Sequence, residues 1–316
     1  MKKASEERQN FLKDEITRLK KENNALIMAH YYQREEIQEI ADFIGDSLAL
    51  ARQAADTDAD IIVMCGVHFM GETAKILCPD KVVIVPDMEA GCSLADSCPP
   101  EEFEKFVKSH PDHTVVSYVN TSAAVKALTD IVVTSGNARQ IIEQLPADEK
   151  IIFGPDHNLG EYINSVTGRK MVLWKGACHV HDRFSLEKII EMKKQHPGAK
   201  ILVHPECKRP LQLIADKVGS TAALLKFAQT DDAKEYIVVT ESGILFEMQK
   251  KCPEKIFMAA PAEDAECQCN ECDFMKLNTL EKVYKALQEG SPEIKVDKEI
   301  AKKALRPIER MLEMSR

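Results

Sequence analysis

The sequence predicts an α/β protein built from three similar, pseudo-symmetric three-layer domains with parallel sheets, and three observations carry that prediction. Short β-rich apolar runs alternate with longer segments of helical period along the chain, the pattern of strands joined by crossover helices. Chemically capable residues follow certain strands at a repeated interval, with His30, Tyr118 and His204 lying 88 and 86 residues apart. Three cysteines, Cys92, Cys178 and Cys272, keep nearly the same interval, 86 and 94 residues. A period of this size suits a small βαβαβ unit used three times. It divides the chain into 1–109 with an N-terminal helix, 110–195, and 196–316 with C-terminal helices. Ligands of open α/β sheets bind beyond the carboxyl ends of the strands, so three units facing one another are expected to share a central cleft.

In chain order, the charged opening "MKKASEERQNFLKDEITRLKKENN" reads as a helix. The strands that follow are "ALIMAH", "IIVMCG", "VVIVPD", "TVVSYV", "DIVVTS", "IIFGPD", "MVLWKG", "KILVHP", "YIVVTE" and "KIFMAA", each short, rich in Val and Ile, and closed by polar or turn residues. Between them, 46–55, 72–77, 122–128, 138–145 and 222–228 carry helical period. No Pro/Gly/Ser-rich linker or low-complexity segment interrupts the series.

A chain of 316 residues with 44% hydrophobic content has ample core for several domains. Its net charge of −9 argues against a sequence-independent nucleic-acid surface. The N-terminus lacks an apolar signal region, and the longest apolar run, "IIVMCGV", is far too short to span a bilayer. The expected location is therefore the cytoplasm. Ten scattered cysteines in such a chain point to reduced thiols that bind metal, catalyse or fill the core. Cys65 and Cys78 fit the role of small buried hydrophobes, and Cys98, Cys207 and Cys252 carry no assignment.

"GVHFMGET" has the outline of a phosphate-cradling loop, but Glu72 stands where that loop needs lysine. A carboxylate there repels phosphate, so an ordinary strand-to-helix turn is expected. Cys269 and Cys272 form a lone C-x-x-C without the second pair of a zinc ribbon. Thiolates also select iron–sulfur clusters, and one cysteine from each of three repeats would leave one iron of a 4Fe-4S cluster without a protein ligand. In "HPE", His204 and Glu206 at i and i+2 lie on one side of an extended segment. Tyr118, Asn120 and Ser135 offer neutral hydrogen-bonding groups near helix starts, where capping is the alternative role. His179 and His181, beside Cys178, suit the surroundings of a metal ligand.

Taken in order and spacing, "AHYYQ", "GDS", "YVNT", "TSGNA", "GACHVH", "HPE", "GST" and the C-x-F-M-K-x-N-T-L pattern beginning at Cys272 resemble the quinolinate synthases of bacterial NAD biosynthesis over nearly the whole chain. The resemblance implies three α/β domains around a 4Fe-4S cluster held by Cys92, Cys178 and Cys272. It implies a transferase-type condensation of iminoaspartate with dihydroxyacetone phosphate to quinolinate, and a functional link to the enzyme that supplies iminoaspartate. Substrate contacts carried over by motif are His30, Ser47, Tyr118, Val119, Asn120, Ser135, His204, Pro205, Glu206 and Thr221. Glu206, His204, Tyr118 and Tyr32 are the expected acid–base and positioning groups, with Tyr32 closing over the ligand. Family members that carry extra cysteines before the last ligand usually space them C-x-x-C-x-x-C; the run here, Cys267-Gln-Cys269-Asn-Glu-Cys272, departs from that and argues against carrying over a regulatory disulfide from it. Two other classes compete: a cluster-bearing redox sensor or electron carrier, which normally uses four thiolates, and a zinc-stabilised binding module.

Overall fold

Twelve strands form three four-stranded sheets in the computed structural model, which describes residues 2–263 and 270–316, with side chains from residue 6 onward. The first sheet contains β1 (Ala25–His30), β2 (Phe43–Gly45), β3 (Ile61–Cys65) and β4 (Val82–Ile84) in the order β2-β1-β3-β4. The second contains β5 (Thr114–Tyr118), β6 (Ile131–Val133), β7 (Ile151–Gly154) and β8 (Val172–Leu173), ordered β6-β5-β7-β8. The third contains β9 (Lys200–Val203), β10 (Lys217–Val218), β11 (Glu235–Val239) and β12 (Ile256–Ala259), ordered β10-β9-β11-β12. Every pairing is parallel, and one strand order occurs three times. This is the three-sheet α/β organisation that the sequence repeat predicts.

Two strands, β2 and β10, were not among the expected ones, and their formation has a local cause. Asp42 donates its N–H to the Ile27 carbonyl (2.8 Å) and accepts the Ile27 N–H on its carboxylate (2.9 Å). Asp130 does the same with Val115 (2.9 and 2.8 Å), and Asp216 with Ile201 (2.9 and 2.8 Å). Each aspartate thus closes a two-bond ring with the first strand of its sheet and starts the neighbouring strand in register. "FIG" contains a glycine and "KV" a lysine, so neither shows an unbroken Val/Ile run, whereas "IVV" of β6 does.

The chain divides into two compact units, one of Met1–Cys92 with Asp273–Ala301 and the other of Ser93–Cys272 with Lys302–Arg316. The first holds the first sheet. There Leu12, Ile16 and Leu19 of the helix Lys2–Glu22 recur at helical spacing and pack with Leu280, Val283 and Leu287 of the helix Leu280–Glu289 against Ile27, Ala29 and Val63. The second unit holds the other two sheets. One of its cores centres on Phe103, Val115, Val125 and Ile152, the other on Ile189, Ile201, Val203, Ile237 and Val239. The expected turn at "GVHFMGET" is present: β3 leads through Gly66 and Val67 into the helix His68–Leu77. No helix among the described residues is long and apolar enough to cross a membrane.

Asp216→Ala removes the carboxylate that receives the Ile201 amide. The expected loss is about 1–3 kcal/mol, read as a lower urea midpoint with an unchanged slope. An unaltered midpoint would show that the ring does not hold β10 to β9.

Candidate active site

At the carboxyl ends of β5, β6 and β9, the second unit gathers a buried polar network. Glu206, 3% exposed, accepts the Tyr118 hydroxyl on Oε1 at 2.5 Å. His181 approaches the other oxygen, with Nδ1 3.2 Å from Glu206 Oε2 and 3.3 Å from Cys178 Sγ, while its Nε2 lies 2.9 Å from the Thr240 hydroxyl. The His204 ring stacks on that of His181 at 4.7 Å. The Glu206 backbone N–H points to His204 Nδ1 (3.4 Å), and His204 Nε2 lies 3.2 Å from the Ser135 hydroxyl. The expected His204–Glu206 pair is present, as is the grouping of Tyr118 and Ser135 with it.

The loops that carry these residues are fastened from behind. Lys126, wholly buried, donates Nζ to the carbonyls of Val119 (2.8 Å) and Thr121, fixing the turn that presents Asn120. Gln212 Nε2 spans the carbonyls of Pro205 (2.9 Å) and Cys207 (2.7 Å), and Asn158 Nδ2 holds the Glu206 carbonyl at 3.1 Å. Asn120 Oδ1 is buried without a hydrogen-bond partner among the described residues, the condition of an atom that a ligand satisfies. Helix capping does not account for Asn120 or Ser135: Ser122 caps the helix Ala123–Lys126, and the helix Ala138–Gln144 has no side-chain cap. Thr221 begins the helix Thr221–Thr230 behind its cap, Ser220.

Two buried carboxyls are driven in opposite directions. Burial raises the pKa of Glu206, but the opposing effects of His181, His204 and the Tyr118 hydroxyl hold it below the usual carboxylate range. Burial, and then the negative charge of Glu206, push Asp156 well above it, against the backbone amides of Leu159 and Cys178. The surroundings thus push the two carboxyls apart.

The cysteines divide by exposure. Of the eight among the described residues, Cys65, Cys78, Cys98, Cys207 and Cys252 are buried, while Cys92, Cys178 and Cys272 are partly exposed. Burial pushes the Cys65 and Cys98 thiols up to about 12 and Cys207 well above the ordinary thiol range. The three accessible cysteines share a place in their repeats. His68 N–H donates to the Ala90 carbonyl (2.7 Å), His157 N–H to Gly176 (2.8 Å) and Ser242 N–H to Asn270 (3.2 Å), each carbonyl two residues before its cysteine. Cys267 and Cys269 lie outside the described residues. Cys178 Sγ, a His181 ring nitrogen and a Glu206 oxygen lie within 4.8 Å of one another, a set with metal-ligating chemistry.

In the first unit, His30 ends β1 and its Nδ1 accepts the Tyr32 N–H at 3.2 Å, with the two rings edge to face at 4.5 Å. The turn is held by the segment after Cys272. Lys276 Nζ donates to the Tyr32 carbonyl (2.8 Å), and Arg34 Nε to the Lys276 carbonyl (2.8 Å). Ser47 opens the helix Ser47–Asp56, next to its cap Asp46 and just beyond β2. Sequence reasoning placed His181 only beside a metal ligand and missed its bonds to Glu206 and Thr240. It did not register Lys126, Asp156 or Glu241; the repeat register held a signal for the last two, which stand two residues beyond β7 and β11, 85 residues apart.

The family model described as NadA, quinolinate synthetase A protein, matches residues 14–313. The chain belongs to this family. Curated relatives called quinolinate synthase include one from Chloroherpeton thalassium, 55% identical over 303 residues that span 96% of this chain and 94% of the relative. One from Nostoc sp. is 57% identical over 300 residues (95% and 92%), and one from Synechocystis sp. is 56% identical over 300 residues (95% and 94%). At this identity and coverage the chain is an enzyme of the quinolinate synthetase A family.

Alkylation of the folded, metal-free protein should label Cys92, Cys178 and Cys272 about tenfold or more faster than Cys65, Cys98 and Cys207, because the thiolate is the reacting form. Peptide mass spectrometry over a time course reads the order. Equal rates would contradict the division by burial.

Proposed function

We propose that the enzyme condenses iminoaspartate with dihydroxyacetone phosphate to form quinolinate, releasing phosphate and two waters, and that Cys92, Cys178 and Cys272 hold a 4Fe-4S cluster. The observation that carries this reading is the buried Glu206 network at the strand ends of a quinolinate synthetase A family member: an anionic carboxylate bonded to the Tyr118 hydroxyl, with His204 and Ser135 beside it. The ligand set is supported by partial exposure and common register of these three cysteines, against the burial of the other five described. When bound, a cluster with three protein thiolates supplies an open iron as Lewis acid to a substrate oxygen.

The protein's part is proton handling and anion binding. Glu206, ionised and bonded to Tyr118, is poised to accept a proton, and the Tyr118 hydroxyl to relay one, in the enolisation, imine formation and dehydrations that the condensation requires. His204 acts through Nε2–H, shared with Ser135. The carboxylates and phosphate of two anionic substrates call for hydrogen-bond donors, which we assign to His30, Ser47, Asn120, Ser135 and Thr221, with Val119 and Pro205 shaping the contact. Tyr32 is assigned to close over the ligand. Iminoaspartate arrives from the enzyme that makes it, which is the expected functional partner.

A second reading has one observation in its favour: a single divalent ion on Cys178, His181 and Glu206, whose ligand atoms are already grouped. Cys92→Ser separates the two, since it removes a cluster ligand and leaves that trio intact. We expect anaerobically prepared Cys92→Ser and Cys272→Ser to lose iron, sulfide and quinolinate formation together, and Cys267→Ser and Cys269→Ser to keep them. A full metal complement in Cys92→Ser would favour the mononuclear site. Glu206→Gln keeps shape but not basicity; its kcat should fall about 10²- to 10⁴-fold with the cluster spectrum unchanged. A kcat near that of the parent would remove Glu206 from proton transfer.

A further inference from the structure

Each of the three sheets carries the same fastening behind the turn that follows its first strand. The strand-end residues are His30, Tyr118 and His204, and the residue eight positions later is Gln38, Lys126 or Gln212. All three stand on the next short helix, Glu35–Ile40, Ala123–Lys126 or Arg209–Leu213, four residues before Asp42, Asp130 or Asp216. Gln38 Nε2 donates to the carbonyls of Tyr31 (3.1 Å) and Gln33 (2.9 Å), Lys126 Nζ to those of Val119 (2.8 Å) and Thr121, and Gln212 Nε2 to those of Pro205 (2.9 Å) and Cys207 (2.7 Å). In every repeat the two carbonyls belong to the first and third residues after the strand end. The residue between them is Tyr32, Asn120 or Glu206, so each staple pins the backbone on both sides of one site residue.

The change from glutamine to lysine follows a change in the turn. In the first and third turns the N–H three residues on closes back on the strand-end carbonyl, Gln33 on His30 and Cys207 on His204, both at 3.0 Å. The middle N–H points to the strand-end ring, Tyr32 to His30 Nδ1 (3.2 Å) and Glu206 to His204 Nδ1 (3.4 Å). Tyr118 offers no ring nitrogen. The Thr121 N–H goes to the Val119 carbonyl (2.8 Å), and its hydroxyl reaches the Tyr118 carbonyl instead (3.2 Å). This differently closed turn is the one fastened by lysine, whose nitrogen reaches one bond further than a glutamine amide and carries at least two N–H groups in either protonation state.

We propose that Gln38, Lys126 and Gln212 are positioning residues, one to a sheet, each holding in place the site residue between its two carbonyls: Tyr32 for closure, Asn120 for substrate binding and Glu206 for proton transfer. This rests on the roles given to those three residues under the proposed reaction. Because the held residues differ in role, loss of each staple disturbs a different kinetic constant, which a general loss of stability does not. A displaced proton acceptor slows the chemical step, whereas a displaced binding group weakens binding.

Methionine fills similar space without N–H groups. In the anaerobic holoenzyme, with iron and sulfide content matched to the parent's, Gln212→Met should lower kcat about ten- to a hundredfold while KM stays within about threefold. Lys126→Met should raise KM for at least one of the two substrates about tenfold while kcat stays within about threefold. Lys126→Gln, which brings the amide used by the other two sheets, should return that KM to within about threefold of the parent's. Parental constants in both methionine variants, kcat and KM moved by one common factor in both, or a Lys126→Gln no better than Lys126→Met overturn the proposal. A parent that forms no quinolinate fails the reaction itself; a parent that turns over while the methionine variants match it fails only the staples. Should the methionine variants not fold, hydrogen exchange on the unmodified protein decides. The side-chain amide protons of Gln38 and Gln212 should exchange about tenfold or more slowly than those of the exposed Gln9, and equal rates overturn the proposal.

Discussion

One small ring of hydrogen bonds, made three times, is the constraint from which the rest of the architecture follows. An aspartate fifteen residues after the first strand's anchoring residue both donates to and accepts from that residue, at Asp42 with Ile27, Asp130 with Val115 and Asp216 with Ile201. In a parallel sheet a one-residue slip turns every side chain to the opposite face. The ring prevents that slip, and it therefore decides which residues leave each sheet at its carboxyl end. Ser47, Ser135 and Thr221 each stand five residues after their aspartate, and His30, Tyr118 and His204 each stand three after its partner. The chemical residues inherit their places from this register.

What the register delivers in the second unit is a polar cluster with little water to support it. Burial raises the pKa of a carboxyl and prevails at Asp156; at Glu206 the opposing effects of His181, His204 and the Tyr118 hydroxyl outweigh it. The His204 ring is held in place between the Glu206 backbone N–H and the Ser135 hydroxyl. Such a site is preorganised, since its donors and acceptors are already aimed before any ligand arrives. The cost is borne by supports with no chemistry of their own, the buried Lys126 under the Val119–Thr121 turn and the half-buried Gln212 under the Pro205–Cys207 turn.

Much of this was legible in the sequence, and the illegible parts have physical reasons. Ten strands announced themselves as Val/Ile runs, and the interval between His30, Tyr118 and His204 gave the repeat. β2 and β10 did not, because "FIG" and "KV" lack an unbroken Val/Ile run and their pairing is fixed by the aspartate just upstream. Tyr118, Ser135, His204 and Glu206 were found by position at strand ends, and the network joins them. His181 was seen only as a neighbour of Cys178, since its link to Thr240 crosses 59 residues of sequence and leaves no pattern. Cys78 and Cys252 were unequal in the reading, one taken as core and the other unassigned. They are counterparts: each opens a Cys-Pro-acid-Lys turn, "CPDK" and "CPEK", and is buried with its thiol toward the carbonyl of Ala54 or Ala228.

Three cysteines at one register and a set of polar strand ends are proposed to make quinolinate together. A single anaerobic preparation of the unmodified protein tests it, with iron, acid-labile sulfide, quinolinate and phosphate measured on the same sample after iminoaspartate and dihydroxyacetone phosphate are supplied. The account predicts brown protein with about four iron and about four sulfide per chain, and quinolinate and phosphate appearing in equal amounts. A folded, colourless preparation that carries zinc and forms no quinolinate would contradict it.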